Sequence, residues 1–249
     1  MKIISFTCCH YGSDYLGWAI KSVYPFVDEC WVVYSDQPSH GHGTKLVNPD
    51  SKKAVRDSLY RFGDPGNKIK WVEGKWKHEG MHRQEAYAIA KRRNADMIIV
   101  VDADEVWQPK GLRESIAAAK ADPAKLCKSH MVHFWRSFDW VCRDGMVPDR
   151  IRCIGATKEI KYLPNGKSPI YHFGYAREVK HIKYKIDIHG HKGEWRKDWF
   201  DRFKRWKPGC DMKDMHPTCK DIWTPMAFDK TEMPDWMRDH PYYNLALIP

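Results

Sequence analysis

The sequence predicts an α/β protein: a mostly parallel sheet flanked by helices, followed by an irregular helical C-terminal extension. Three observations carry this. Short apolar runs rich in β-branched residues alternate with apolar stripes at helical spacing, the pattern of strand–helix–strand units. One such run, Met97-Ile98-Ile99-Val100-Val101, passes directly into Asp102-Ala103-Asp104-Glu105, so a buried strand delivers three carboxylates to one end of the sheet. In the last forty or so residues Pro208-Gly209, Pro217, Pro225, Pro234 and Pro241 break every regular pattern.

The elements follow in order. Lys2-Ile3-Ile4-Ser5-Phe6-Thr7 reads as the first strand. Leu16, Ala19, Ile20 and Val23 then fall at i, i+3, i+4 and i+7 on a helix that Ser13 is placed to cap. Cys30-Trp31-Val32-Val33-Tyr34 is the next strand, and the loop after it carries the free carboxylate of Asp36. Between Gly80 and Asn94, apolar Ala86, Ile89 and Ala90 share a helix face, three cations sit in the last turn, and Asn94 is a suitable cap. In parallel α/β sheets ligands collect beyond the carboxyl ends of the strands, so Asp36 and the Asp102 cluster are expected on one edge. Acids at the end of a buried strand repel one another and lose hydration, and a divalent metal is the natural compensator. Alternate strand residues point the same way, so Asp102 and Asp104 are expected to converge while Ala103 leaves room for a ligand. The competing reading is an acidic turn with a capping Asp.

Phe6-Thr7-Cys8-Cys9-His10, then Tyr15-Leu16-Gly17-Trp18-Ala19-Ile20-Lys21-Ser22-Val23, then Val27-Asp28-Glu29-Cys30-Trp31-Val32-Val33-Tyr34-Ser35-Asp36, resemble the opening of family 2 glycosyltransferases with the GT-A (Rossmann-like) fold. Asp102-Ala103-Asp104 is similar to their Asp-x-Asp. The resemblance covers roughly the first half of the chain with its elements in the right order, which is more specific than the tripeptide alone. It implies a nucleotide-sugar donor, UDP-linked by expectation, and a divalent metal, Mn²⁺ or Mg²⁺. Asp36 would approach the base or ribose, Asp104 would ligate the metal bridging the diphosphate, and Asp102 would hold the ribose or the metal's water shell. Thr7, Arg83 and Ala103 complete this half of the expected donor site.

In the second half, Ile170-Tyr171-His172-Phe173-Gly174-Tyr175-Ala176-Arg177 is an aromatic strand that presents one His before a glycine turn, with Lys180, His181, Lys183, Lys185, His189 and His191 behind it. The segment from His172 to Arg177 resembles a pattern of some bacterial and phage members of the family. That implies His172 as the preferred further metal ligand, His191 as the alternative, and Arg177, Lys183 and Lys185 as diphosphate contacts. A strand histidine bonded to a backbone carbonyl and a solvated basic loop are the plain alternatives. The aromatic run from His130 to Trp140 suits the floor of an acceptor pocket or simple core. An inverting mechanism needs a carboxylate base, for which Asp139, Asp144, Asp149 and Glu159 are in range; a retaining one does not.

From Trp195, cations and rings are dense, and Trp195, Trp199, Phe203 and Trp206 share a helix face that is expected to pack. The cations Arg202, Lys204, Arg205 and Lys207 would line its exposed rim. With a formal net charge of +10, that rim suits a polyanion such as DNA or an anionic membrane surface. The chain has 249 residues, 43% of them hydrophobic, ample for a core. The expected organisation is a catalytic domain at 1–194, with a donor half at about 1–107 and an acceptor half at about 108–194, and a basic aromatic extension at 195–249 packed on it. No run approaches membrane-spanning length and no signal-peptide pattern opens the chain, so a soluble cytoplasmic protein is expected, in the host cytoplasm if phage-encoded. The eight cysteines scatter through core segments and are expected to be reduced thiols; Cys210, His216 and Cys219 lack zinc-site spacing.

Three function classes follow. The first is a metal-dependent nucleotide-sugar glycosyltransferase of hexosyltransferase type, acting on a hydroxymethylated base in phage DNA or on a lipid-linked or surface polysaccharide. The second is another metal–phosphate enzyme on a related sheet, and the third a noncatalytic nucleic-acid-binding module.

Overall fold

The structure is a computed structural model that describes residues 1–38, 43–143, 145, 147–157, 160–162, 170–190 and 192–249. β1 (Ile3–Cys9) lies between β2 (Glu29–Tyr34) and β4 (Met97–Val100), parallel to both, and β3 (Ile69–Glu73) extends the sheet beyond β2. Both faces of β1 are apolar because both are covered. Ile3 and Cys9 face a core built with Leu16, Ala19, Ile20 and Val23 of α1 (Leu16–Val23), while Ile4 and Phe6 face Ala86, Ile89 and Ala90 of α3 (Glu79–Arg92). The helical stripes are therefore the buried faces expected of them. Their caps differ in part: the Ser13 hydroxyl donates to Asp50 instead of capping α1, whereas Asn94 takes the left-handed conformation (φ 51°) that ends α3.

The expectation of one mostly parallel sheet needs correcting. On the far side of β4 the strand β9 (Asp149–Cys153) runs antiparallel, followed by β6 (Leu126–Lys128) and β10 (Ile160–Tyr162), giving a seven-stranded mixed sheet. A second mixed sheet of five strands has the order β12 (Met226–Ala227), β8 (Trp140–Cys142), β7 (Met131–Trp135), β11 (Ile170–Tyr175), β5 (Glu105–Trp107). The chain leaves the first sheet after β4 and enters the second at β5, so Asp102, Ala103 and Asp104 form the turn between sheets, closed by Glu105 N–H donating to Asp102 O at 3.0 Å. They are not alternate residues of one strand. Two further helices, α2 (Lys52–Leu59) and α4 (Pro109–Ala121), carry no motif that marked them in advance.

The basic segment after His172 is helical: α5 (Val179–Ile188) buries His181, Ile182, Tyr184 and Ile188 and turns Lys183 outward. The extension packs as its rings require, although α6 (Trp199–Arg205) is shorter than the stripe predicts. Trp199, Phe203 and Trp206 share a cluster with Trp135, Tyr175 and Trp223, and β12 joins the second sheet. A short helix leaves its last carbonyls without partners. The buried guanidinium of Arg136 supplies them, donating to Phe203 O at 3.1 Å and Lys204 O at 2.9 Å. Arg136→Ala is expected to lower unfolding stability by about 3 kcal/mol, since it leaves those carbonyls buried and unbonded. Denaturant unfolding measures it, and a change under about 0.5 kcal/mol, ordinary for a surface site, contradicts this role.

Candidate functional site

A cleft of about 350 Å³ opens at the carboxyl end of β1 and β4. Four pieces of chain build it: Cys8 to Tyr11 at the end of β1, Glu79, His82 and Arg83 of α3, the Asp102–Asp104 turn, and the stretch holding His172 of β11, Arg177 of the link after it and Lys185 of α5. Of the residues expected to bind donor or metal, Arg83, Asp102, Ala103, Asp104, His172, Arg177 and Lys185 thus meet in one place.

The two carboxylates diverge. Asp102 accepts from Arg83 Nη1 at 3.3 Å through one oxygen and from Arg150 Nη2 at 2.7 Å through the other. Arg150, which the sequence did not single out, reaches in from β9 and also clamps Glu105 through two nitrogens. Asp104 faces the opposite wall: His172 Nε2 is 3.7 Å from one oxygen, and Arg177 Nη1 and Lys185 Nζ are 3.5 and 3.6 Å from the other. Burial opposes the charge on both acids, yet neighbouring cations hold both carboxyls below the usual range: Arg150 and Arg83 for Asp102, Lys185 and Arg177 for Asp104. Burial and the charge of Asp102 push Glu105 up to about 7 against the pull of Arg150. The compensation expected from a metal is thus already met within the protein by four guanidinium and ammonium groups.

His172 is held from three sides. Its strand pairs antiparallel with β5, with His172 opposite Glu105, and Phe173 N–H donates to Asp104 O at 2.8 Å. Gly174 is the third side: a Cβ there would sit 2.5 Å from His172 Cε1 and Nε2 and 2.5 Å from Lys185 Nζ. Burial pushes the imidazole down to about 3, so it is neutral at physiological pH. His172 Nε2 and Asp104 Oδ1 lie 3.7 Å apart, close enough that one divalent metal would be held by both.

Behind the cleft lies a second acidic group that sequence reasoning missed. Asp14, Asp50 and His181 are, among the described residues, the one set of three side chains with ligand atoms mutually within 4.8 Å, a possible Asp/His metal site by spacing. Its oxygens are already engaged. Asp50 accepts from Gly12 N–H (2.7 Å), Ser13 N–H (3.0 Å), the Ser13 hydroxyl (2.6 Å) and His181 Nε2 (3.3 Å), and Asp14 is bidentate to Arg177 at 2.5 and 2.9 Å. The set ties the β1 loop to α5 and aims Arg177 into the cleft. Burial raises the Asp50 carboxyl, but these donors outweigh it and leave it well below the usual range. A depressed folded-state value stabilises above the unfolded carboxylate value and is lost as pH falls, so thermal stability is expected to decline from about pH 4 downward.

The other candidates lie elsewhere. Thr7 is buried in the sheet, Asp36 is exposed beside Lys75 at 3.7 Å, and Lys183 lines a separate hollow on the outer side of α5. Asp139 pairs with Lys230 at 2.8 Å, while Asp149 lines a neighbouring cavity that shares Arg83 with the cleft, its carboxyl raised by burial against Arg152, Lys128 and Arg150. Asp144, Glu159 and His191 lie outside the described residues. Phe134, Trp135 and Phe138 are core and line no part of the cleft. Of the four rim cations, Arg202 donates to Lys213 O at 2.6 Å and Lys204 pairs with Asp201 at 2.9 Å. Arg205 and Lys207 are exposed, and Arg205 Nε donates to the Asp201 carbonyl at 3.4 Å. All eight cysteines are free, and His216 caps its own loop by accepting from Cys219 N–H at 2.9 Å. Among the described residues no helix is long and apolar enough to cross a membrane.

No protein-family model matches the chain, and no curated protein sequence does. Among solved structures it is similar to S. aureus TarS 1–349, at 13% identity and a TM-score of 0.45 over 76% of this chain and 64% of that one. The same TarS fragment in complex with UDP-GlcNAc gives 17% identity and a TM-score of 0.36 over 54% and 35%. Glucosyl-3-phosphoglycerate synthase from Mycobacterium tuberculosis, in complex with Mn²⁺, UDP and phosphoglyceric acid, gives 15% and 0.36 over 54% and 43%. The chain thus spans less than two thirds of each of these proteins.

Proposed function

We propose that this chain is a nucleotide-sugar glycosyltransferase whose donor diphosphate lies in the cleft. The observation that carries this is the meeting, at one sheet edge, of an Asp-x-Asp turn with Arg83, Arg177 and Lys185 and a neutral imidazole. Three fixed cations in a partly dehydrated cleft stabilise the negative charge that grows on a departing nucleoside diphosphate, and they need no reorganisation as it forms. Asp104 and His172 would hold Mn²⁺ or Mg²⁺, which when bound supplies further charge stabilisation to the leaving group. Asp102, held between Arg83 and Arg150, would meet the donor's ribose. Of the described base candidates, Asp149 is the better placed, because its cavity borders the cleft at Arg83.

The test is release of nucleoside diphosphate from a panel of nucleotide sugars with Mn²⁺, with Mg²⁺ and with chelator. Release from at least one UDP-sugar, enhanced by metal, is expected; no release and no UDP binding under any condition overturns the reading. For the acceptor, the net charge of +10 and the exposed Arg205 and Lys207 support a polyanion, with a hydroxymethylated base in DNA as the first candidate. Duplex binding is then expected to weaken steeply with salt, and Arg205→Ala with Lys207→Ala to flatten the slope by about two. Absence of duplex binding at low salt removes DNA and leaves a lipid-linked or surface glycan.

A further inference from the structure

His133 lies behind the cleft and does not line it. β7 and β11 run parallel with His133 paired to His172, so the two imidazoles stand side by side. Their Nδ1 atoms are 2.9 Å apart and the ring planes meet at 85°. His133 is buried, with the Trp223 ring 4.7 Å from its own. A hydrogen bond between two Nδ1 atoms needs a proton on one and a lone pair on the other, so the rings are obliged to take complementary states. If His133 donates, neutral His172 carries its proton on Nε2 and has no lone pair to offer toward Asp104. If His172 donates, its Nε2 presents a lone pair 3.7 Å from Asp104 Oδ1, which is what a divalent cation requires.

We propose that His133 is a positioning residue for the cation site: it accepts the Nδ1 proton of His172 and so holds His172 in the tautomer whose Nε2 is open to metal. This rests on the reading of Asp104 and His172 as metal ligands. Ligand histidines are ordinarily oriented by a carboxylate, carbonyl or water at the second ring nitrogen; here a second imidazole takes that place. Because an imidazole is itself donor or acceptor, the orientation holds only while His133 keeps its own proton on Nε2. Gly174 leaves the room in which the His172 ring can lie in this orientation, since a side chain there would meet Nε2 itself.

Two measurements on the full chain test this. In metal-free protein with ¹⁵N-labelled histidine, long-range ¹H–¹⁵N spectra are expected to show the His172 proton on Nδ1; a proton on Nε2 overturns the proposal, whether or not metal binds. Mn²⁺ affinity in the presence of UDP, read by electron paramagnetic resonance, is expected to fall at least tenfold in His133→Phe. His133→Asn, whose side-chain oxygen accepts near the Nδ1 position, is expected to recover most of it. Affinity within twofold of wild type in both variants overturns the positioning role, as does equal loss in both with the fold intact. Should wild type bind no Mn²⁺, the metal reading fails by itself, and the tautomer spectrum, which needs no variant, still decides the hydrogen bond.

Discussion

Asp104→Asn is expected to lower metal-stimulated release of nucleoside diphosphate by about 10³-fold, about 4 kcal/mol on the barrier, while the protein stays folded. The amide keeps the volume of the side chain and its backbone contact with β11, so packing is unchanged. What is lost is the one carboxylate that faces His172 across a gap a cation spans. The same change leaves Arg177 and Lys185 without their shared anion. Metal-free binding of UDP is therefore expected to be as tight as in wild type or tighter, a pattern that a general loss of structure does not produce. Calorimetry with UDP, with and without Mn²⁺, separates the two effects. A folded Asp104→Asn protein with wild-type metal stimulation rejects Asp104 as a ligand.

Gly174→Ala is expected to cost about 10²-fold in turnover, about 2.7 kcal/mol. The added methyl cannot be accommodated by one flexible neighbour, because it would meet the His172 ring and the Lys185 ammonium together, both at 2.5 Å. Relief requires both to retreat from Asp104. Turnover and Mn²⁺ affinity are expected to fall together, while the far-UV spectrum stays that of wild type. Since Gly174 has no left-handed φ among the positive-φ positions, backbone strain adds nothing, and an unaffected Gly174→Ala enzyme means that the ring and the ammonium are free to move without consequence.

Much of the cleft is legible in the sequence because its residues end regular elements. Asp102 and Asp104 follow an unbroken β-branched run and His172 lies on an aromatic strand before a glycine, so pattern brings them to element ends, while the family resemblance is what marks His172 and Arg177 as site residues. The errors share a different cause. The stretch through Trp107 reads as one strand, on which Asp102 and Asp104 would project alike; no local signal shows that the chain changes sheets at that turn. Arg150 sits on a short strand of alternating cations that reads as surface until it is paired antiparallel beside β4. α5 mixes Lys, His and Ile at helical spacing, and its charges mask the buried face of His181, Tyr184 and Ile188. Asp14 and Asp50 are isolated acids, and their partners come from far along the chain: Arg177, 163 residues from Asp14, and His181, 131 residues from Asp50, beside Gly12 and Ser13, 38 and 37 residues before it. The mostly parallel sheet failed because most strand pairings involve strands of the second half of the chain, where the sequence pattern is weakest.

The turn that joins the two sheets also sets an order of assembly. As the chain is made, Asp102 and Asp104 emerge after Arg83 but well before the other groups that neutralise them: Arg150 follows Asp102 by 48 residues, and Arg177 follows Asp104 by 73. Until β9 and β11 dock, burying that turn would strand two carboxylates in an apolar setting, which is strongly unfavourable. The first four parallel strands can therefore form a nascent sheet early, but its acidic edge stays hydrated and open until the late strands arrive. Closure of a loop that long makes this a slow, non-local step, and the edge proposed to bind the donor is expected to be the last to gain protection from hydrogen exchange during refolding.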